Sequence, residues 1–184
     1  GYDNVTVEEI VKESGTSKGS FYLHFPSKHA IFIEKFNLID DFYIEFSKSI
    51  YSDLKPKDKI FLFVKAQMEY IQDELGKDLM RVIYSNALFS TENYFLDENR
   101  AIFGILQEYI EEGWLKQEIK KDLQLKEILK LITRCMRATI YDWCMSNDDF
   151  DLPKESQKLF IVLFDGLWLN KINTEKMPLE KTIK

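Results

Sequence analysis

Lys18, Ser20, Tyr22, His24 and Lys28 place ammonium, hydroxyl and imidazole groups in one short run, with Gly19 and Leu23 between them. These groups donate to anionic oxygens and touch base edges; they are not spaced as a nucleophile with its base. A lysine can reach a guanine and a leucine a thymine methyl, while glycine and serine let a backbone approach closely. No H-E-x-x-H, G-x-S-x-G or G-x-x-x-x-G-K-[ST] run occurs, so catalytic readings have little foothold. His24 and His29 are five apart, whereas a helical metal pair wants three or four. Cys135 and Cys144 would face opposite ways on a helix and read as small apolar residues. No metal and no cofactor is expected.

Such groups need elements to aim them. Thr6 followed by Glu9 is a capping box, in which each side chain satisfies an orphan backbone N–H at a helix start. Ile10 and Val11 supply an apolar stripe, Gly15 suits the left-handed stop, and Ser17 can cap the next helix at once. Two short helices about a glycine-containing turn form a helix-turn-helix. On the second helix Phe21 and Phe25, four apart, must point inward. The opposite face is then Gly19, Ser20 and Leu23, with Lys18 near the amino end and Tyr22 and His24 on the shoulders. Lys28 and the N–H groups around Ser27 begin a third helix, whose amino end is an anion site.

The run G-Y-D-N-V-T-V-E-E-I-V-K-E-S-G-T-S-K-G-S-F-Y-L-H-F-P-S-K resembles the DNA-binding signature of the tetracycline-repressor (TetR) family of bacterial transcriptional regulators. The resemblance is dense over residues 1–33 and only architectural beyond. It implies base or groove contact from Lys18, Gly19, Ser20 and Leu23. It implies phosphate contact from Thr6, Ser17, Tyr22, His24 and Lys28. The family pattern has a further helix ahead of Gly1, covering the face made by Ile10, Phe21 and Phe25. The head as written is therefore expected to be incomplete, and a fragment starting at Gly1 to bind an operator poorly.

A chain of 184 residues with 45% hydrophobic content suits a small head fused to a helical body. A net charge of -6 argues against a protein that coats nucleic acid non-specifically. Yet no acid lies between Glu13 and Glu34, a stretch that holds Lys18 and Lys28. The absence of a long apolar run predicts no membrane association and a cytoplasmic location.

Residues 27–52 read as one long helix, because Phe32, Phe36, Ile39, Tyr43, Phe46 and Ile50 recur at alternating spacings of four and three. Such a helix is the mechanical link between head and body. Pro56 starts another helix, expected over residues 56–75 and ended by Gly76. Further helices are expected over 78–89, 94–117 (kinked or ended by Gly113), 125–145 and 153–169, with breaks at 90–93 and 147–151.

The predicted fold class is all-α, with a helix-turn-helix head over 1–33, an antiparallel helical body over 34–172 and a polar tail over 173–184. Apolar residues nearly all round the last helix predict burial of a second face against another copy of the chain. Leu159, Leu163 and Leu167, with Ile128 and Ile132, are the expected homodimer interface; a central helix of a monomer is the alternative. The resemblance also implies a ligand cavity in the body. Gln67, Tyr70, Asn86, Gln107 and Asp142 are polar groups on apolar helices that could orient a small-molecule effector there. The reading is a ligand-responsive dimeric regulator, a repressor released from a palindromic DNA operator by its ligand. A helical adaptor with a vestigial head, or an all-helical enzyme, are the alternatives.

Overall fold

A computed structural model of the chain describes residues 5–89, 93–147 and 150–169. The expected tail at 173–184 and parts of the breaks at 90–93 and 147–151 lie outside them. The described residues form α1 (Val7–Glu13), α2 (Lys18–His24), α3 (Lys28–Ser49), α4 (Pro56–Tyr70), α5 (Lys77–Ala87), α6 (Ala101–Leu115), α7 (Leu125–Met145) and α8 (Leu152–Leu167). There is no strand among them, and the fold is all-α. α4 packs on α6 and α8, α7 on α5, α6 and α8, and α3 crosses α4, α5 and α6.

The core follows the long-helix stripe. Phe36, Ile39 and Tyr43 of α3 are buried with Ile60, Phe63 and Met68 of α4, Leu106 and Ile110 of α6, and Phe160 and Phe164 of α8. Each such side chain contributes about 1.5–3 kcal/mol by leaving water. Phe32, Phe46 and Ile50 are partly buried against the same cluster, so α3 carries its stripe along nearly its whole length.

Between α4 and α5 the expected continuous helix gives way to a π-turn, Ile71–Leu75, closed by the Gly76 N–H donating to the Ile71 carbonyl at 2.9 Å. The wider turn re-phases the helix so that Ile71 and Leu75 are both buried. Gly76 then takes φ +79, a conformation open to glycine at little cost.

The expected helix over 94–117 is corrected at its start. Tyr94–Leu96 is a single 3-10 turn and α6 begins only at Ala101. Side chains compete for the backbone here: Asn93 Oδ1 accepts from the Phe95 N–H at 3.1 Å, and Asp97 Oδ1 from the Asn99 N–H at 3.0 Å. Gly113 does not end α6, which runs on to Leu115. It makes room, since a Cβ there would stand 3.0 Å from Ile119 Cδ1 and 3.3 Å from Pro56 Cβ. The connector after α6 is pinned to the end of α8 by Lys120 N–H to the Leu167 carbonyl (3.0 Å) and Leu169 N–H to the Glu118 carbonyl (2.8 Å).

Gly104 is different, because a Cβ there meets nothing within 4 Å. Gly104→Ala is expected to stabilise the chain by about 0.5–1 kcal/mol through helix propensity. Thermal melting checks this: an unchanged or lower Tm contradicts it.

Candidate nucleic-acid interface and effector cavity

The head is built from short-range rules. The Glu9 N–H donates to Thr6 Oγ1 at 3.2 Å and the Thr6 N–H to Glu9 Oε2 at 2.7 Å, so the capping box is closed. Gly15 adopts φ +66 and ends α1. Ser17 and Ser27 cap α2 and α3, accepting from the Ser20 N–H (3.1 Å) and the Ala30 N–H (3.3 Å). Phe21 is buried and Phe25 half-buried, their ring centroids 5.7 Å apart. That anchoring turns the other side of α2 outward: Lys18, Gly19, Ser20, Tyr22 and His24 are exposed, and Leu23 is 81% exposed.

The structure adds what residue type alone does not show. The Lys18 ammonium is paired with Glu8 of α1. The hydrogen bond from Lys18, added to the helix-start backbone, holds the exposed Glu8 carboxyl below its ordinary range, and Glu8 in turn raises Lys18. A base contact by Lys18 would therefore exchange the Glu8 carboxylate for an uncharged acceptor on a base edge. Lys28 Nζ donates to the Val5 carbonyl at 2.8 Å, tying the start of α3 to the residue before the Thr6 cap of α1. The Thr6 hydroxyl both accepts in the cap and donates to Glu9 Oε2 at 3.0 Å, whereas the Ser17 hydroxyl accepts in its cap and keeps its own proton to donate.

In the body, Phe36, Tyr43, Gln67, Ile71, Met80, Phe95, Ile102, Thr133, Met136 and Ile140, with Arg100 and Arg137, enclose a space of about 30 Å³. That is room for one or two waters and far too little for an alkyl chain. Phe36 and Phe95 also wall an outer groove of about 680 Å³, lined with Ile33, Ile83, Asn86, Tyr94 and Leu96. Phe36 and Phe95 thus wall both an inner space and an outer one large enough for a drug-sized molecule.

Of the polar residues expected to face a ligand, Gln67 lines the inner space. Its Nε2 donates to the Tyr43 hydroxyl at 2.7 Å, and its Oε1 is buried with no partner among the described residues. Asn86 lines the outer groove. Tyr70 instead stacks on Phe42 at 4.3 Å beside a separate hollow. Gln107 and Asp142 are exposed, Gln107 bonding to Glu111 within its own helix, so neither reaches the cavity. Their place on α6 and α7 is the solvent side, although both helices are rich in apolar residues.

Sequence reasoning misses Arg100 and Arg137, because charged residues ordinarily read as solvent-facing. Arg100 grips Asp40 of α3 with both fork arms, Nε to Oδ2 at 3.0 Å and Nη2 to Oδ1 at 3.1 Å. The Tyr94 hydroxyl donates to the same Oδ2 at 2.8 Å, and the guanidinium lies 4.0 Å from the Tyr94 ring centroid. Burial, with the carboxylate nearby, pushes the Tyr94 phenol up to about 12. This clasp fastens the 94–100 link to α3.

The expected partner face is corrected in part. Ile128 and Ile132 are 0% exposed and Leu167 is buried, so they belong to the core of one protomer. Leu159 is partly exposed and Leu163 half-buried, while Ile161 and Val162 are exposed beside them. Periodicity alone puts Leu167 on the wrong face of α8; it follows Phe160 and Phe164 into the interior.

An exposed second helix after a glycine-containing turn, joined by a long helix to an all-α body with a cavity, is the architecture of a helix-turn-helix regulator. The chain belongs to the tetR family of bacterial regulatory proteins: residues 1–34 match that family's model, and residues 32–166 match the C-terminal region of YsiA-like proteins. It is 24% identical to the fatty acid metabolism regulator protein of Bacillus subtilis over 91% of this chain and 87% of that one. It is 30% identical to the regulator QacR of Staphylococcus aureus over 66% of this chain and 53% of that one. Among solved structures, FadR from Bacillus subtilis in complex with stearoyl-CoA superposes with a TM-score of 0.71 at 23% identity, covering 90% of each chain. FadR from Thermus thermophilus in complex with lauroyl-CoA gives 0.70 at 16%, covering 93% of this chain and 89% of that one. The chain is thus similar to ligand-binding transcriptional regulators, and among its described residues no helix is long and apolar enough to cross a membrane.

Proposed function

We propose that the chain acts as a homodimeric repressor that binds a palindromic operator and leaves it when an amphipathic small molecule with a long apolar chain enters the body. The observation that carries this reading is α3. Its Ser27-capped start sits beside the reading helix, while Phe36 and Tyr43 further along it wall the inner cavity. A ligand that enlarges that cavity must move the same helix that sets the head. Coupling requires that it bind the two positions of α3 with different affinity. The relatives named for fatty acid metabolism and crystallised with acyl-CoA support an acyl-chain effector, and the partly exposed Leu159, Ile161, Val162 and Leu163 support a partner face on α8.

Roles within the head separate by experiment. Selection from random duplexes is expected to return an inverted repeat with half-sites about one helical turn apart or a small multiple of it. Lys28→Ala is expected to weaken binding evenly across sequences and to lower the salt slope by about 0.9 for each phosphate it no longer neutralises. Lys18→Ala is expected to change which sequence is selected. Identical behaviour of the two variants in one selection overturns the assignment.

A further inference from the structure

The inner space is walled by two arginines and no acid. Arg100 is neutralised by Asp40, but Arg137 has no carboxylate within ion-pair distance among the described residues. Its side chain makes one hydrogen bond there, a long one of 3.3 Å from Nη1 to the Phe95 carbonyl. Arg134 lies three residues earlier on the same helix, α7. Burial first, and Arg134 besides, lower the Arg137 pKa. A half-buried cation beside a like charge is a costly placement unless an anion reaches it.

Arg137 also lines a second outer groove, of about 280 Å³, with Tyr84, Leu88, Phe95, Leu96 and Tyr141. It therefore has one side on the inner space and one on solvent. The Tyr84 hydroxyl donates to the Arg137 carbonyl at 3.0 Å and fixes the backbone from which the guanidinium reaches. A guanidinium carries five N–H donors, so most of this one's capacity is open to an anion arriving through the groove.

We propose that Arg137 recognises the anionic head of an amphipathic ligand, whose apolar tail enters past Phe95 and widens the space walled by Phe36, Ile71, Met80 and Ile140. This rests on the effector reading above and names the group that reads the head. A carboxylate engages Arg137 through both fork arms.

Titration of dodecanoate, dodecanol and dodecanoyl-CoA against the full chain and its variants tests the proposal. Wild-type protein is expected to bind dodecanoate at least tenfold more tightly than dodecanol. Arg137→Met is expected to bring the two within twofold, with a Tm no lower than that of wild type showing that the body still folds. Arg137→Lys is expected to keep part of the preference. Equal binding of acid and alcohol by wild type, or an intact preference in Arg137→Met, overturns the role of Arg137 and leaves the effector reading standing. No binding of any of the three chains by wild type overturns the effector reading itself.

Discussion

Leu23→Asp is expected to cut operator affinity by at least 100-fold while leaving the Tm within about 1 °C of wild type. Leu23 is 81% exposed on the outward side of α2, held there by Phe21 on the inward side. A large apolar side chain in that position supports no core, so replacing it should change stability by no more than about 0.5 kcal/mol. Against DNA the change is severe. The leucine no longer meets a thymine methyl, each good base interaction being worth roughly 1–3 kcal/mol, and a carboxylate is thrust among phosphates. A dimer suffers this in both half-sites. Duplex titration with a melting curve on the same sample measures both halves of the prediction. Retained binding would show that α2 does not face the bases, and a collapsed Tm would show that Leu23 supports the head.

Asp40→Ala is expected to cost about 3–5 kcal/mol and lower the Tm by roughly 10 °C. The variant leaves Arg100 with its side chain 6% exposed and no carboxylate, and it also takes the acceptor from the Tyr94 hydroxyl. The penalty is that of a stranded buried charge rather than the worth of the pair. Asp40→Ala with Arg100→Met should therefore recover much of the loss, a non-additivity that a double-mutant cycle reads directly. Function should change with stability. The clasp ties the 94–100 link, and with it Phe95, to α3, so cutting it should leave operator affinity less responsive to effector. A Tm within 2 °C of wild type would show that the clasp carries little.

These two effects differ in how far the sequence foretells them. The head is legible because each of its features is decided by residues close in the chain. Thr6 with Glu9, Gly15 before Ser17, and Phe21 with Phe25 all act within a turn or two, and the structure realises each of them. α7 is equally legible, its apolar period running unbroken over Leu125–Met145. The body's polar site is not. Asp40 and Arg100 are 60 residues apart and meet only because α3 and the link before α6 cross. Spacing along one helix identifies a polar residue among apolar ones, and it finds Gln67. It does not say which side of the helix other elements cover, which is why Gln107 and Asp142 fall outside the cavity they were expected to line. Ile128 and Ile132 read as partner-facing for the same reason: two apolar faces on α7 and α8 look alike until the neighbouring helices are laid down. The π-turn at Ile71–Leu75 leaves no local mark, since it serves the re-phasing of one helix against the core.

The central claim is that occupancy of the body and occupancy of DNA are linked through α3. Operator affinity measured on one preparation, without and with a saturating long-chain acyl-CoA whose binding is followed independently, tests it most directly. The account predicts a loss of about 5–150-fold in operator affinity, the usual span of an allosteric coupling. Proven saturation of the body with operator affinity unchanged would contradict it.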